Sequence, residues 1–221
     1  MALTSHEIQK IEHYLNSKNL THLDLRVEVV DHMTESIDEA MQSQKVDFET
    51  AFRNEIRKWH TDLGEYSSYW LGMLWVGPRI VIKKCVKRIK VIYLKTLLFA
   101  FAITGLFFLA ADMIAIEMLR ALEVLVGSLY LLLFAMLLFF KYRIKATGFQ
   151  TSFSFLFNIN AIAFSFMFVL YNPLWTVFMS LLQDGALNLV SVWMHAFTLA
   201  FSFFFLEFYN AHMATNKQVL I

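Results

Sequence analysis

The chain has 221 residues, of which 58% are hydrophobic and 23 are Phe, with a mean hydropathy of +0.53. That is too apolar for an ordinary soluble domain. The net charge of +1 conceals a segregation: residues 1–78 carry seven Lys/Arg against thirteen Asp/Glu, residues 79–95 carry seven basic groups and no acid, and the remaining 126 carry five of each.

This pattern reads as an all-α chain: a small cytoplasmic three-helix domain (1–65), an interfacial aromatic segment and basic collar (66–95), a four-helix transmembrane bundle (96–210) and a cytoplasmic tail (211–221). The opening MALTSHEIQK lacks the charged start and apolar core of a signal peptide, so no export of the domain by a cleavable signal is expected. A single cysteine, Cys85, excludes an internal disulfide framework. Its basic neighbours favour a lowered thiol pKa, but an incidental cysteine beside the membrane is the plainer reading.

Thr4 with Glu7 three residues on is a capping-box pattern that predicts a first helix over 5–18, with Ile8, Ile11 and Leu15 at helical spacing. A second helix is expected over 22–44, where Val30, Met33, Ile37 and Met41 form one stripe, joined by Val27 and Ala40. Asp47 is placed to cap a third, in which Phe48, Phe52, Ile56, Trp59 and Leu63 line up before a stop at Gly64. Three such helices close only a marginal core.

The second helix carries the densest chemistry. Glu28 and His32 are four apart, His32 and Glu35 three apart, and Asp31 and Glu35 four apart, so they share a polar stripe. One helix offers a metal two or three of these groups at most. No His-Glu-x-x-His or paired cysteines complete a site, and nothing in the sequence brings in His13, His22 or His60. No metal or cofactor is therefore expected. Asp31 or His32 is expected to bond backbone at a neighbouring helix end, and Arg26 to pair with Glu28 at the surface.

Residues 66–76, YSSYWLGMLWV, hold the Tyr and Trp that favour a membrane interface. Gly77-Pro78 then punctuates the chain, and a helix carrying the collar is expected to run from Pro78 into the first span. In the collar, Lys83, Lys84, Lys87, Arg88 and Lys90 alternate with apolar residues, which suits anionic lipid headgroups. A nucleic-acid partner is not expected, because the adjoining acidic domain repels phosphate. The opposite charges of domain and collar also permit an internal electrostatic contact.

Four spans are expected at about 96–118, 121–140, 150–171 and 186–208, with residues 172–185 lying at the interface between the last two. The collar, the KYRIK loop at 141–145 and Lys217 are basic, whereas the opposite side holds only Arg120 near Glu117, Glu123 and Asp184. Both termini are therefore expected in the cytoplasm. Counting about 1.5 Å per residue places His195 roughly 14 Å deep, at a depth comparable to Asn158 and Asn160. These three are expected to form an intramembrane polar cluster that hydrogen-bonds between helices; a proton or substrate path is the competing role.

In the N-terminal domain, Tyr14-Leu15, the Asp31-His32-x-x-Glu35 pattern, Phe48, Ala51-Phe52 and Leu63-Gly64 recur in an order that resembles HAAS-type signalling or permease-prefix domains of bacterial membrane proteins, those of Bacteroidetes most closely. The family's frequent Asp-Pro after that Gly is Glu65-Tyr66 here, and the likeness covers about residues 4–65 but not the spans. It implies a cytoplasmic signalling domain in a bacterial inner membrane protein, with no catalytic residues to carry over. Asp31, His32, Glu35, Phe52 and Trp59 become its fold or contact signature. The expected function is a non-enzymatic membrane protein whose domain contacts a cytoplasmic or membrane protein partner, or a second copy of itself. The alternative is a small transporter or permease subunit with Asn158, Asn160 and His195 along its path. A membrane-embedded enzyme is not expected, because the spans hold no paired acids or nucleophile–base set.

Overall fold

The computed structural model describes residues 3–170, 180–183 and 186–219. Seven α-helices occur among them: α1 (Ser5–Ser17), α2 (Leu23–Gln44), α3 (Phe48–Trp59), α4 (Arg79–Ala110), α5 (Ile116–Ala146), α6 (Ser152–Leu170) and α7 (Leu189–Val219). Two short antiparallel hairpins accompany them, β1 (Glu65–Ser67) with β2 (Val76–Pro78) and β3 (Leu182–Gln183) with β4 (Ala186–Leu187). The chain divides into two compact units: Met1–Arg88 with Gly148–Phe155 and Thr215–Ile221, and Ile89–Thr147 with Leu156–Ala214.

In the first unit, the Thr4–Glu7 capping box forms as the spacing predicts, with the Glu7 carboxylate accepting from the Thr4 backbone N–H at 2.7 Å. That bond and the Thr4 hydroxyl hold the Glu7 carboxyl below its usual pKa. The buried residues of α2 are Leu25, Val29, Met33 and Ile37. This corrects the expected stripe: Met33 and Ile37 belong to it, but Val27 is exposed and Val30 and Met41 are only half-buried. Two adjacent stripes of α2 are apolar, and its contacts with α1 and α3 select the one containing Leu25 and Val29. In α3, Phe48 and Ala51 are buried with Phe52 half-buried, and Phe52 packs edge-on to Tyr14 and stacks on Phe48. The β1–β2 hairpin follows, tied back by Arg79 N–H to Gly64 C=O and Ile80 N–H to Asp62 C=O, both 2.9 Å. Helix α4 then begins directly after Pro78, as expected.

In the second unit, the core is aromatic. Phe157 and Phe164 meet Phe205 edge-on, Tyr130 packs on Phe164, and Phe140 stacks on Tyr209 at 4.3 Å. Such pairs contribute about 0.5–1.5 kcal/mol each beyond area burial.

Three helical segments, Arg79–Met113, Ile116–Ala146 and Leu189–Thr215, are long and apolar enough to cross a membrane. Several helix boundaries differ from expectation; α3, for one, ends at Trp59 and not at Gly64. The collar and first span are one helix that ends at Ala110, so Glu117 opens α5 instead of closing the first span. KYRIK is the last turns of α5, not a loop: Lys and Arg are good helix formers, their charge is favourable at a helix carboxyl end, and the chain turns only at Gly148 (φ +76°). Helix α7 runs on to Val219, through most of the expected tail. The expected interfacial segment 172–185, Asp184 with it, falls largely outside the described residues, whereas α6 follows the expected third span as far as Leu170.

Candidate functional site

The most connected polar group lies in the first unit, where α2 meets the start of α6. The Asp24 carboxylate accepts the Ser152 backbone N–H at 2.8 Å and also the Ser152 hydroxyl. Arg88 donates to the Ser152 Oγ at 3.3 Å and lies over the Phe153 ring at 3.9 Å. The Leu23 N–H donates to the Gln150 carbonyl at 2.8 Å, beside a bridge between His22 and Gln150. Cys85 is buried and directs its thiol at the Ser152 carbonyl, 3.8 Å away. It is sequestered, so the reactive-thiol reading of its basic setting does not apply.

His22 sits at this junction with 9% of its surface exposed, and its ring meets Phe155 edge-on at 5.5 Å. Both ring nitrogens are buried without a hydrogen-bond partner among the described residues. Burial pushes its pKa down, and the nearby Asp24 opposes the shift in part.

Two ion pairs join α4 to earlier residues of the first unit, Lys84 with Glu28 and Lys83 with Asp62 at 3.6 Å. The collar's cations are thus not all turned to headgroups, as had been expected: Lys83, Lys84 and Arg88 have partners within the first unit. Lys87 is exposed and makes no ion pair among the described residues. Lys90, in the second unit, is also exposed. The expected Arg26–Glu28 pair does not form. Arg26 instead reaches back to α1, donating to Asn16 Oδ1 at 2.5 Å and the Glu12 carbonyl at 3.2 Å, where a cation suits the helix carboxyl end.

The side chains of Asp31, His32 and Glu35 are all exposed and form no hydrogen bond or ion pair among the described residues. The expected bond from Asp31 or His32 to backbone is corrected to a solvated helix face, and no group of three or more metal-ligating side chains occurs among the described residues. Trp59 is instead a partner of Glu55, an acid the helical pattern did not single out. Glu55 is buried and accepts from Trp59 Nε1 at 2.9 Å, Ser36 Oγ at 2.8 Å and Lys58 Nζ at 2.7 Å. An open groove of about 640 Å³ runs between α1 and α3, lined by residues that include His6, Lys10, His13, Tyr14, Phe52 and Ile56.

In the second unit the members of the expected trio have different surroundings. His195 Nδ1 and the Tyr130 hydroxyl are 3.2 Å apart, while Asn160 accepts from the Tyr93 hydroxyl at 3.3 Å. Asn158, two residues from Asn160 and so some 200° round α6, is exposed. A second histidine, His212, is fully buried with Nε2 3.0 Å from the Thr147 hydroxyl; it lies in what the sequence reads as tail. A cavity of about 100 Å³ is lined by Tyr93, Asn160, Thr198 and aromatic rings.

Compared with known proteins, the chain matches no family model, no curated protein and no solved structure.

Proposed function

We propose that the chain is a non-enzymatic integral membrane protein of a bacterial inner membrane, whose cytoplasmic three-helix domain receives a signal from a protein partner and relays it to the membrane helices. In this reading α6 joins the three longer apolar helices as a fourth span. The basic collar and the basic end of α5 support a cytoplasmic position for both termini. The HAAS-like pattern of the domain supports a signalling role.

The observation that carries the relay is the Asp24–Ser152 contact. Helix α2 supplies an acceptor at the amino end of α6, beside the local Thr151 cap, so a displacement of α2 acts on the first turn of α6. The groove between α1 and α3 is the receiving face. Affinity capture of the full-length protein from its native membrane tests this reading. The partner should be retained by wild type and lost by the double variant His6→Glu/His13→Glu, which changes only exposed side chains. Equal capture by both proteins, or no partner with either, defeats it.

A transporter is the second reading, favoured by the cavity of about 100 Å³ at Tyr93, Asn160 and Thr198, which is large enough and polar enough to hold water. Cysteines at 160 and 195 would then react with water-borne thiol reagents; a packed bundle leaves both protected.

A further inference from the structure

Among the described residues, every large apolar side chain exposed before Arg88, except Val27, lies between Tyr66 and Val76. Leu74 is 96% exposed, Tyr69 86% and Met73 70%, with Trp70, Trp75 and Val76 also open. The hairpin beneath them is well held. β1 and β2 pair from Glu65–Pro78 to Ser67–Val76, Leu71 is buried, Trp75 packs edge-on to Phe155, and the Arg79 guanidinium covers the Tyr66 ring at 5.1 Å. Gly72 turns the tip at φ +88°, where a Cβ would sit 3.4 Å from the Trp75 ring. The structure thus presents an apolar tip on a fixed scaffold.

We propose that the tip of the β1–β2 hairpin, centred on Tyr69, Trp70, Met73 and Leu74, is a membrane-docking surface whose occupant is the headgroup and upper acyl layer of a bilayer. Three observations select lipid over protein. Trp and Tyr mixed with Met and Leu is the composition of interfacial anchors, with apolar bodies and polar ring edges. The hairpin leads without a break into α4, one of the helices apolar and long enough to span. No Asp or Glu occurs from Tyr66 to Ala111, so nothing on this stretch repels an anionic surface, while the exposed Lys87 attracts one. The inserted hairpin holds the domain against the bilayer by a contact separate from the spans, next to the ring of Phe155 that also packs on His22.

The proposal rests on the membrane reading above, and its test separates the two. Full-length protein in the Cys85→Ala background is labelled with a nitroxide at Leu74→Cys, at Leu132→Cys on the exposed apolar face of α5, or at Ser43→Cys at the solvent end of α2. Each is reconstituted in phosphatidylcholine nanodiscs containing phosphatidylglycerol. Collision with molecular oxygen relative to a water-soluble nickel chelate should be several-fold higher at 74 and 132 than at 43. A water-like ratio at 74 with a lipid-like ratio at 132 overturns the hairpin proposal and leaves the membrane reading standing. Water-like ratios at both overturn the two together. A label at 74 shielded from both agents shows protein covering the tip, and also overturns the proposal.

Discussion

Asp24 accepts the backbone N–H of Ser152, a residue 128 positions later in the chain, at 2.8 Å. Thr151 caps α6 locally, its hydroxyl accepting the Ser154 N–H at 3.1 Å as Thr4 accepts Glu7 in α1, and Asp24 of α2 satisfies one more N–H of the same turn. Lone N–H groups at a helix start need acceptors, and a carboxylate also suits the positive end of the helix dipole. The contact ties α2 to the start of α6, and Arg88 adds a second donor to the same serine.

Replacing Asp24 by Ala removes this cap and leaves the Ser152 N–H without its acceptor. The expected cost is about 1–2 kcal/mol. Asp24→Asn keeps an acceptor oxygen and should lose well under half of that. Chemical unfolding of the full-length protein in detergent measures both, and equal losses for Ala and Asn would contradict a capping role.

His22 predicts a pH dependence of definite sign. Its folded pKa is depressed by burial, so between that value and the ordinary 6.5 the unfolded chain binds more protons than the folded one. Stability is therefore fully present above 6.5 and is lost as the pH falls through and below it. His22→Phe, which keeps a ring against Phe155, should flatten this part of the profile. Thermal melts of wild type and variant across the mildly acidic range decide it; parallel curves would assign the dependence to other groups.

The parts of this fold that were legible in the sequence are those encoded locally. The Thr4–Glu7 box, the helix start after Asp47 and the helix start after Pro78 each rest on neighbours within a few positions, and each appears where the spacing put it. What was not legible depends on partners distant in the chain. Val27 and Leu25 are equally apolar, and only packing against α1 and α3 buries one and exposes the other. Glu55 reads as a surface charge until Ser36 arrives from α2 and the Trp59 ring turns its N–H inward. Asp24 and Ser152 have no signal linking them, because neither residue is unusual in its own segment.

Glu55→Ala should destabilise the first unit by about 1–3 kcal/mol, because it leaves the Trp59 N–H and the Ser36 hydroxyl without the acceptor they share. Glu55→Gln retains an acceptor and should recover part of the loss. Trp59 fluorescence on denaturation follows the local unfolding, and a loss below a few tenths of a kcal/mol for Ala would show that these bonds exchange freely with water.

Lys45 ends α2 in the left-handed conformation, at φ 53° and ψ 38°. A residue with a Cβ pays roughly 1–2 kcal/mol there, whereas glycine adopts it readily but loses more backbone entropy on folding. Lys45→Gly should therefore raise stability by about 1 kcal/mol, a shift to higher denaturant midpoint with unchanged slope. A lower midpoint would mean that the lysine side chain makes a contribution larger than the strain.

The Tyr130–His195 pair offers a measurement that separates packing from proton transfer in the apolar half. With the hydroxyl and Nδ1 3.2 Å apart, a double-mutant cycle of Tyr130→Phe and His195→Phe should return a coupling of about 0.6 kcal/mol, and no more than about 1.7. Each single variant should lower stability, while the double variant recovers part of the loss because neither member of the pair is left without the other. A coupling near zero, with the singles fully additive, would remove the hydrogen bond as a link between α5 and α7. Normal stability in every variant together with a lost ion or solute flux would reverse the assignment and make His195 part of a path.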